Sequence, residues 1–492
     1  MGRCYLCFLL PVGLLFLTGC HTDLTIMVAG SGSGSVSTIN TAGSPVTCDQ
    51  DQRTCMASVT GNSATLQAVP NAADGSVFLN WAGDCVVAAD GNCTITAPKT
   101  TAVAYFRRTT VATGAFFTCG LKQSGTVGCW GQNEDGQLGD GSRNTPADGS
   151  IKTVVNMSGD RDLSPATADI SAGGYHVCLL IAEDGSVRCW GNTEHGQTGA
   201  GVPRTYGYAT PQLVDFIPPR PAVAIATGGY HSCALLIDMT VACWGLDGNG
   251  QSDSSPKGTD FVRPRIVPNI KNAKAITAGA YHTCALLTDG SIRCWGYNRD
   301  IELGIPVPQP DGLGAGPVVF FPNAPDGSAR RIAGGVGAGT LPGNVQLGGY
   351  HSCALFSQGQ VSCWGYNQDG EVDGVPSAPW PAAHKSPTFP SPANAVAAGG
   401  YHSCAIGSDN RIYCWGNGDW AQLGDGIARH GTHGTQVVRG IETARSVAAG
   451  AFHTCAVVAN DDIRCWGRND WGQVGAPGGP NNTALTPVKP QL

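Results

Sequence analysis

Charged residues are scarce in this sequence. Asp, Glu, Lys and Arg make up 13% of its 492 residues, whereas an ordinary soluble domain has about a quarter. Lys and Arg number 29 against 36 Asp and Glu, for a formal net charge of −7. Binding of DNA or RNA needs a strongly basic face. The sequence therefore predicts that nucleic acid is not a partner.

The motifs of common enzymes are also missing. The chain contains no HExxH, no GxSxG and no phosphate-binding loop, which are the usual marks of zinc proteases, serine hydrolases and nucleotide-dependent enzymes. The glycine-serine run at residues 31–35 lacks both the GxGxxG frame and a Lys-Ser/Thr pair, so it predicts a flexible turn. Beyond residue 20 no two cysteines have the C-x-x-C spacing of a thiolate metal site. We expect no catalytic residue, metal or cofactor.

No apolar run is long enough to span a bilayer. The longest, residues 6–17, follows a single arginine and has the length of a secretory signal. It ends in Leu-Thr-Gly-Cys, which resembles a bacterial lipobox and predicts that residues 1–20 form a lipoprotein signal, with Cys20 as the lipidated first residue of the mature chain. An ordinary signal peptide that happens to end in cysteine is the alternative. His21 follows the cysteine, and under the best-known sorting rule this permits the outer membrane or cell surface.

Cysteine, in contrast, is abundant. Of 21 cysteines, Cys4 and Cys7 belong to the predicted signal and Cys20 to the lipid site, which leaves an even number, 18. Full pairing fits an oxidising compartment. The predicted disulfides are Cys48–Cys55, Cys85–Cys93, Cys119–Cys129, Cys178–Cys189, Cys233–Cys243, Cys284–Cys294, Cys353–Cys363, Cys404–Cys414 and Cys455–Cys465.

Seven of these pairs mark a repeat, best seen at residues 275–304. There, short alternating runs flank a Thr-Asp-Gly turn, which predicts a hairpin with Gly290 in the left-handed region and Cys284 opposite Cys294. The other copies keep the second cysteine in Cys-Trp-Gly, and the shortest repeat distance is 51 residues. A period near 50 residues with several strands per unit is typical of a β-propeller. Seven copies predict seven blades.

The repeated pattern A-G-x-x-H-(S/T)-C-A-L, D-G-x-(I/V)-x-C-W-G-x-N and G-Q-L-G resembles the regulator of chromosome condensation (RCC1-like) repeat family, and differs from the WD and kelch patterns. The resemblance covers residues 111–492 and implies an all-β, seven-bladed propeller. It implies little about function, because that propeller occurs in exchange factors, photoreceptors, receptor ectodomains and enzyme inhibitors.

Residues 21–110 differ in composition from the repeats. Alternating runs at residues 24–28, 64–69, 77–81, 93–96 and 102–106 predict a small β domain. Its segment GSVFLNWAGDC, followed by GNCTITA and AVAYF, is similar to a single bacterial β-repeat of the internalin B-repeat type. We expect this domain to be a spacer that holds the propeller away from the membrane.

Two residue types recur in register within the repeats. Six histidines stand at equivalent positions, and Phe117 takes the same slot in the first copy. They predict either a functional ring or buried side chains that hydrogen-bond the backbone between blades. The second interpretation is favoured because each histidine lies in a different repeat. The Cys-Trp-Gly tryptophans predict packing between blades. Because P-x-x-V segments precede later repeats but not the first, we also expect the strand near Val488 to complete the blade begun at Val111 and so close the ring.

Sequence between repeats is longest after the G-Q-L-G segment, so we expect these insertions to emerge on one face. They carry Phe320, Phe321 and Trp380, and two further aromatic residues, Trp420 and Trp471, lie in equivalent turns of the last two repeats. These aromatic residues either contact a partner or fold onto the blades. The sequence as a whole predicts an exported, lipid-anchored, non-catalytic scaffold that binds a protein or a glycan. An inhibitor of an exported enzyme is the alternative, and an enzyme acting on envelope polymers is a weaker one.

Overall fold

The computed structural model describes residues 21–490 except 40–45, 50–52, 99, 156–165, 203–205, 217–218, 254–258, 305–315, 318–328, 335–339, 342–344, 347–348, 376–386, 389 and 429–430. Nearly all of its regular structure is β, with two short 3-10 turns at Ala72–Asp74 and Ala459–Asp461. No helix in these ranges is long and apolar enough to cross a membrane. Cys20, Phe320, Phe321 and Trp380 lie outside the described residues.

Residues 21–107 form two sheets packed face to face. In hydrogen-bonding order the first sheet contains Thr54–Thr60, His21–Ala29, Thr101–Arg107 and Val77–Gly83. The second sheet contains, in the same order, Thr47–Asp49, Gly34–Ile39, Ser63–Pro70, Cys93–Thr96 and Val86–Val87. Alternate residues of the strands point inward, so Leu24, Val36, Leu66 and Trp81 share one core. The alternating runs of the sequence coincide with five of these strands.

The remaining chain forms seven antiparallel sheets, one per repeat, which are the blades. Blades 1 to 3 contain Thr110–Thr113, Phe117–Leu121, Val127–Gly131 and Lys152–Thr153; Thr167–Ala172, His176–Ile181, Val187–Gly191 and Tyr208–Leu213; and Ala222–Thr227, His231–Leu236, Val241–Gly245 and Phe261–Ile266. Blade 4 contains Ala273–Ala278, His282–Leu287, Ile292–Gly296 and Gly316–Pro317.

Blades 5 to 7 follow the same order. They contain Ala329–Gly334, His351–Phe356 and Val361–Gly365; Ala393–Ala398, His402–Gly407, Ile412–Asn417 and Thr432–Val437; and Ala444–Ala449, His453–Val458, Ile463–Arg468 and Thr483–Val488. A small separate hairpin joins Thr340–Leu341 to Val345–Gln346. First strands of neighbouring blades contact each other, including those of blades 7 and 1. The propeller of seven blades predicted from the repeat is confirmed.

The stapled hairpin is formed as predicted. Cys284 lies directly opposite Cys294, and Gly290 has φ +83° at the end of the turn. All nine expected disulfides are present, and in the seven blades the Cα atoms of each pair are 4.0–4.1 Å apart. This separation is shorter than that of most opposed residues because each pair occupies a non-hydrogen-bonded site.

The prediction for ring closure is wrong. Thr483–Val488 pairs with Ile463–Arg468 of its own repeat, and Cys465 lies opposite Val488. The P-x-x-V segments are fourth strands of the repeat that precedes them, as Tyr208–Leu213 shows by pairing with Val187–Gly191. Blade 1 has its own first strand, Thr110–Thr113. The described strands of every blade therefore come from one repeat, and none of them crosses the seam between blades 7 and 1.

Neighbouring blades are joined instead by a buried side-chain latch. In six junctions the histidine Nε2 of one blade lies 2.7–2.8 Å from a Ser or Thr hydroxyl of the next: His176–Ser232, His231–Thr283, His282–Ser352, His351–Ser403, His402–Thr454 and His453–Thr118. The histidines are buried between blades, as expected, but their Nε2 partner is a hydroxyl and not the backbone. The last of these latches, with Thr118, closes the ring.

The hydroxyl also fixes the protonation of the histidine. Thr283 donates its proton to the carbonyl oxygen of Gln251 (2.9 Å), so its oxygen accepts a hydrogen bond from His231, which must carry its proton on Nε2. Burial lowers the pKa of five of the histidines to about 3 and that of His282 to about 4. All six are neutral near pH 7, which excludes a ring of charged imidazoles.

The same carbonyl oxygen accepts a second bond, from the indole of the next blade. Trp295 Nε1 donates to Gln251 O at 2.9 Å, and the same bond recurs in five further junctions at 2.8–2.9 Å. The tryptophans are fully buried, which confirms their packing role. At the seam the indole N–H of Trp130 finds no acceptor among the described residues, so the junction depends more heavily on Thr118.

The junction between blades 1 and 2 replaces the polar latch with an apolar one. Phe117 occupies the histidine slot and Val177 the hydroxyl slot, and both lie fully buried in one apolar cluster. Either change alone would leave a buried polar group without its partner. The two substitutions therefore act as a matched pair, which explains why a phenylalanine is tolerated in this repeat.

The small β domain packs directly on the propeller. Tyr105 Oη donates to Ala222 O (2.6 Å) and Arg107 Nη1 to Thr167 O (2.9 Å), while Met27 and Val103 join the core of blades 2 and 3. Ala222 and Thr167 begin the first strands of their blades, at the end where the hairpin turns lie. The domain thus packs against part of this face of the propeller, and its role as a spacer from the membrane stays a prediction.

The insertions do not share one face. Strands Gly316–Pro317 and Ala329–Gly334 interrupt the longest stretch, residues 306–343, and belong to different blades. Connections from the third to the fourth strand and from the fourth strand to the next blade leave an antiparallel sheet at opposite ends. The sequence expectation is therefore wrong for this stretch, because it counts three connections as one: to the fourth strand of blade 4, to blade 5, and from the first strand of blade 5 toward its second.

Candidate binding site at the aromatic mouth

A ring of seven aromatic residues surrounds the axis at the face opposite the small domain. Each directly precedes the second strand of a blade, next to the histidine or, in blade 1, next to Phe117. We call this ring the aromatic collar; its members are Phe116, Tyr175, Tyr230, Tyr281, Tyr350, Tyr401 and Phe452. Ring centroids of neighbouring members lie 4.8–6.3 Å apart in five of the pairs. We call the face that carries the collar the mouth face.

Short connections hold the collar in place. The Gly-Gly or Gly-Ala step before each collar residue passes so close to the next blade that a side chain on its first glycine has no room: a Cβ on Gly228 would lie 2.4 Å from Gly279 O. Backbone bonds link these steps around the ring, including Gly174 N to Gly228 O (3.1 Å) and Gly400 N to Gly450 O (2.9 Å). The collar is therefore supported by a rigid ring of backbone.

A second tier of side chains comes from the loops that follow Cys-Trp-Gly. The backbone N–H of Tyr297 donates to Tyr281 O and that of Tyr366 to Tyr350 O, both at 2.9 Å. These bonds place two further tyrosines beside the collar, and the ring centroids of Tyr297 and Tyr350 are 5.6 Å apart. We call Tyr281, Tyr297, Tyr350 and Tyr366 the tyrosine cluster; all four are partly exposed.

Trp420 and Trp471, both candidates from the sequence, reach the same face. They are half-buried and pack against the cluster formed by Phe116 and Phe452. Arg468 lies over Trp420 and Phe452, with its guanidinium carbon 4.3 Å from the Trp420 ring centroid and 5.4 Å from that of Phe452. Asp470 pairs with the same guanidinium at 2.6 Å. The two tryptophans thus belong to the mouth face, and an arginine of the chain itself stacks on Trp420.

Carboxylates flank the tyrosine side of the collar. Asp135, Asp300 and Asp369 occupy equivalent loop positions of blades 1, 4 and 5, and burial raises the pKa of each above its ordinary value. Glu371 is fully buried, and burial together with the charge of Asp369 raises its pKa well above the usual range. One of its oxygens accepts from Asp369 N (3.1 Å), while Oε1 has no partner among the described residues. Carboxyl groups are therefore concentrated beside the tyrosine rings.

The environment of the tyrosines reflects this arrangement. Burial and the neighbouring charges of Asp135 and Glu134 raise the pKa of Tyr175 to about 12. Burial is also the main cause that raises the pKa of Tyr350 and of Tyr366. All remain neutral phenols near pH 7, so the mouth presents neutral π faces with carboxylates at their edges. Such a surface attracts organic cations.

The site offers no catalytic arrangement within the described ranges. Every cysteine there is held in a disulfide, and no group of three or more His, Cys, Asp and Glu side chains could hold a metal ion in this part of the chain. The recurring histidines are buried inside the junctions, where hydroxyl groups hold their Nε2 atoms.

Two family models described as "Regulator of chromosome condensation (RCC1) repeat" match the chain. One matches each of the seven repeats, at residues 109–137, 168–197, 222–251, 273–300, 344–371, 394–419 and 444–473, and the other matches 184–235 and 409–457. The chain is an RCC1-like β-propeller protein. The collar residues and the latch histidines fall inside the matched repeats.

Curated relatives show the same likeness over most of the chain. The "RCC1 domain-containing protein RUG3, mitochondrial" of Arabidopsis thaliana is 28% identical over 73% of this chain and 81% of its own length. The "Ultraviolet-B receptor UVR8" of the same plant is 25% identical over 74% of this chain and 78% of its own. The human "E3 ubiquitin-protein ligase HERC2" is 26% identical, but the match spans only 7% of it.

Solved structures agree on the fold. Yeast RCC1 (Prp20) bound to Kap60 superposes with a TM-score of 0.61 at 21% identity, over 77% of this chain and 84% of the other. Human WBSCR16 gives a TM-score of 0.60 at 15% identity, over 75% of this chain and 95% of the other. At these identities the likeness establishes the RCC1-like fold alone.

Sequence reasoning finds part of this site. Its candidates Trp420 and Trp471 lie on the mouth face, whereas the structure does not describe Phe320, Phe321 and Trp380. The collar itself is missed, although its signal is present: an aromatic residue stands immediately before the histidine slot in all seven repeats. The more conspicuous histidines and tryptophans conceal this third periodic residue.

Proposed function

We propose that this protein is an exported, lipid-anchored, non-catalytic scaffold that binds a protein partner at its mouth face. The observation that carries the proposal is the aromatic collar with its tyrosine cluster, a partly exposed aromatic surface at the centre of one face. Exposed aromatic clusters are typical of interfaces, where they supply most of the binding energy. The opposite face is partly covered by the small domain, which leaves the mouth face as the larger free surface.

The comparisons support a binding role in general terms. Yeast RCC1 (Prp20) is bound to Kap60 in one solved structure, and a second structure, of Prp20p from Saccharomyces cerevisiae, is described together with its binding to Gsp1p and histones. UVR8 is named as a receptor. The anchor rests on the signal-like residues 1–20 and Cys20, and the route of export on the nine disulfides.

Site-specific photocrosslinking in cells tests the proposal. A benzophenone amino acid at Tyr297 or Trp471 on the mouth face should crosslink the full chain to a protein. The same residue at Asp289, exposed in a hairpin turn at the opposite end of blade 4, serves as the matched control and should give no such product. Crosslinking from Asp289 alone, or to a glycan alone, would show that the mouth face does not bind a protein.

A further inference from the structure

The two sides of the mouth face differ in their aromatic rings and in what covers them, although each side carries carboxylates and one arginine. On the side of blades 7 and 1 the collar residues are Phe452 and Phe116, which are buried beneath Arg468. On the side of blades 4 and 5 the rings are the tyrosine cluster, partly exposed and flanked by Asp300 and Asp369. The equivalent of Arg468 in those blades is Tyr297 or Tyr366, so the repeat places an aromatic ring where blade 7 places a cation.

Arg468 shows how a guanidinium fits this collar. Its planar group stacks over Trp420 at 4.3 Å and pairs with Asp470 at 2.6 Å. Aromatic faces together with a carboxylate are the combination that binds guanidinium most favourably. The tyrosine cluster provides both components: ring centroids 5.6–6.4 Å apart in four pairs, and two carboxylates on neighbouring loops.

Charges around the mouth are predominantly negative. The loops that immediately follow Cys-Trp-Gly carry more acidic than basic side chains. Seven carboxylates there are at least partly exposed: Glu134, Asp135, Glu194, Asp300, Asp369, Asp419 and Asp470. The basic side chains of these loops are Arg299, Arg468 and the half-exposed His195. Arg143 approaches from the following segment and donates to Gly207 O. Fully buried Glu371 adds an oxygen, Oε1, that no described residue pairs, next to Tyr366 and Asp369. The mouth as a whole therefore carries net negative charge, which favours a cationic ligand; on the tyrosine side Arg299 lies beside Tyr297 and Asp300.

We propose that the tyrosine cluster, with Asp300 and Asp369, binds an arginine side chain presented by a segment of the protein partner. This inference rests on the proposed function and names the chemistry of its contact. The guanidinium would stack on the phenol rings as Arg468 stacks on Trp420, and the carboxylates would take the place of Asp470. An arginine-bearing peptide is thus the occupant of this side of the mouth.

The test measures binding of a defined probe to the full chain by fluorescence anisotropy. The probe is the blocked, labelled octapeptide (Gly-Arg)4, compared with (Gly-Gln)4 and with a neutral oligosaccharide. We expect (Gly-Arg)4 to bind more tightly than both and to lose affinity as salt rises. Equal affinity for (Gly-Gln)4, or binding of the oligosaccharide alone, would overturn the proposal.

Exposed Gln368 offers the most direct variant because it lies in the loop between Tyr366 and Asp369 and should not affect folding. Q368K places an ammonium beside the cluster and should weaken (Gly-Arg)4 binding about tenfold, while Q368E should strengthen it. Glu194 holds the equivalent position in blade 2, so E194Q changes the net charge by the same amount and is the matched control. If Q368K and E194Q weakened binding of (Gly-Arg)4 equally, the effect would come from the overall electrostatic field of the mouth, and this would contradict a local binding site at the tyrosine cluster.

The aromatic contribution has its own pair of variants. Tyr366→Leu should weaken binding of the (Gly-Arg)4 probe about tenfold. Tyr366→Phe keeps the aromatic ring and loses only the hydrogen bond from the hydroxyl to Gln368 (2.8 Å), so this variant should bind the probe as the natural protein does. Equal losses in both would assign the effect to the hydroxyl and refute stacking. Dimerisation of the free chain through this face, abolished by Q368K, would identify a second copy as the occupant instead.

The two proposals can fail separately. If photocrosslinking captures a protein at the mouth but (Gly-Arg)4 does not bind, the scaffold role stands and the arginine contact is wrong. If (Gly-Arg)4 binds and obeys the variants but the mouth captures no protein in cells, the contact chemistry stands and the scaffold role is wrong.

Discussion

The apolar junction between blades 1 and 2 can be transplanted to another junction. We consider the latch of His231 and Thr283, in which the histidine donates to a hydroxyl at 2.7 Å and the hydroxyl donates to Gln251 O at 2.9 Å. Replacing both residues, His231→Phe and Thr283→Val, reproduces the natural pair Phe117 and Val177. All four positions are buried, so solvent cannot compensate for a lost partner.

The magnitudes follow from which groups lose their partners. Thr283→Val alone leaves the buried Nε2–H of His231 without an acceptor, and should cost about 1–3 kcal/mol of unfolding free energy. The carbonyl of Gln251 keeps its bond from Trp295 (2.9 Å), so it adds little to that cost. His231→Phe alone removes the donor to the hydroxyl and should cost about 1 kcal/mol. The double variant removes both polar groups together and should cost less than the sum, with a coupling energy of about 1–2 kcal/mol.

Urea unfolding of the full, non-reduced chain at pH 7.5, followed by tryptophan fluorescence, measures the cycle. Phe117→His is the control in the natural apolar junction, where the new donor would face Val177; it should destabilise the protein by about 1–3 kcal/mol. Additivity of the two changes within about 0.5 kcal/mol would refute the latch as a coupled unit. A double variant less stable than both singles combined would do the same.

Three further outcomes are expected. Burial depresses the pKa of the six latch histidines to about 3–4, so below about pH 6.5 the unfolded state binds more protons than the folded state. The free energy of unfolding should therefore fall as pH drops toward 4, by up to about 1.4 kcal/mol per histidine per pH unit. Urea midpoints between pH 7.5 and 5 measure this fall, and the double variant His231→Phe with Thr283→Val should show a shallower slope. Cys20→Ala should abolish acylation and release the protein from membranes, and a variant as firmly bound as the natural protein in membrane fractions would exclude the anchor. Truncation after Pro480 removes the fourth strand of blade 7 and the Lys489–Asp462 pair (2.7 Å) but keeps the Thr118–His453 latch. A lower thermal midpoint with a monomeric product is therefore expected. Complete aggregation would show instead that this strand is essential for closure of the ring.

The hairpins can be predicted from the sequence because several constraints agree there. The turn at Asp289-Gly290, the alternating pattern and the cysteine pair all select one register, so Cys284 lies opposite Cys294 as predicted. The P-x-x-V segments lack such a constraint. They stand between two hairpins, and periodicity alone does not tell which neighbour they pair with, so the sequence assigns them to the wrong blade.

Long-range packing is less accessible to sequence reasoning. The hydroxyl partners of the histidines come from the next repeat, 52–56 residues away in four of the junctions, and a periodic pattern does not distinguish them from backbone acceptors. The docking of Tyr105 on Ala222 depends on two units with unrelated sequences. For the mouth, a single chain shows which residues recur but not that seven loops converge on one axis.

The origin of each blade's strands in a single repeat has a consequence for how the chain would assemble during the export proposed above. A polypeptide that crosses a membrane from its N-terminus emerges one repeat at a time, and each repeat brings the described strands and both cysteines of its blade. Each unit can fold and oxidise before the next arrives, since no early edge must wait for a late strand. The last step is then a docking event between finished surfaces, in which Thr118 of the first blade meets His453 and Gln473 of the seventh.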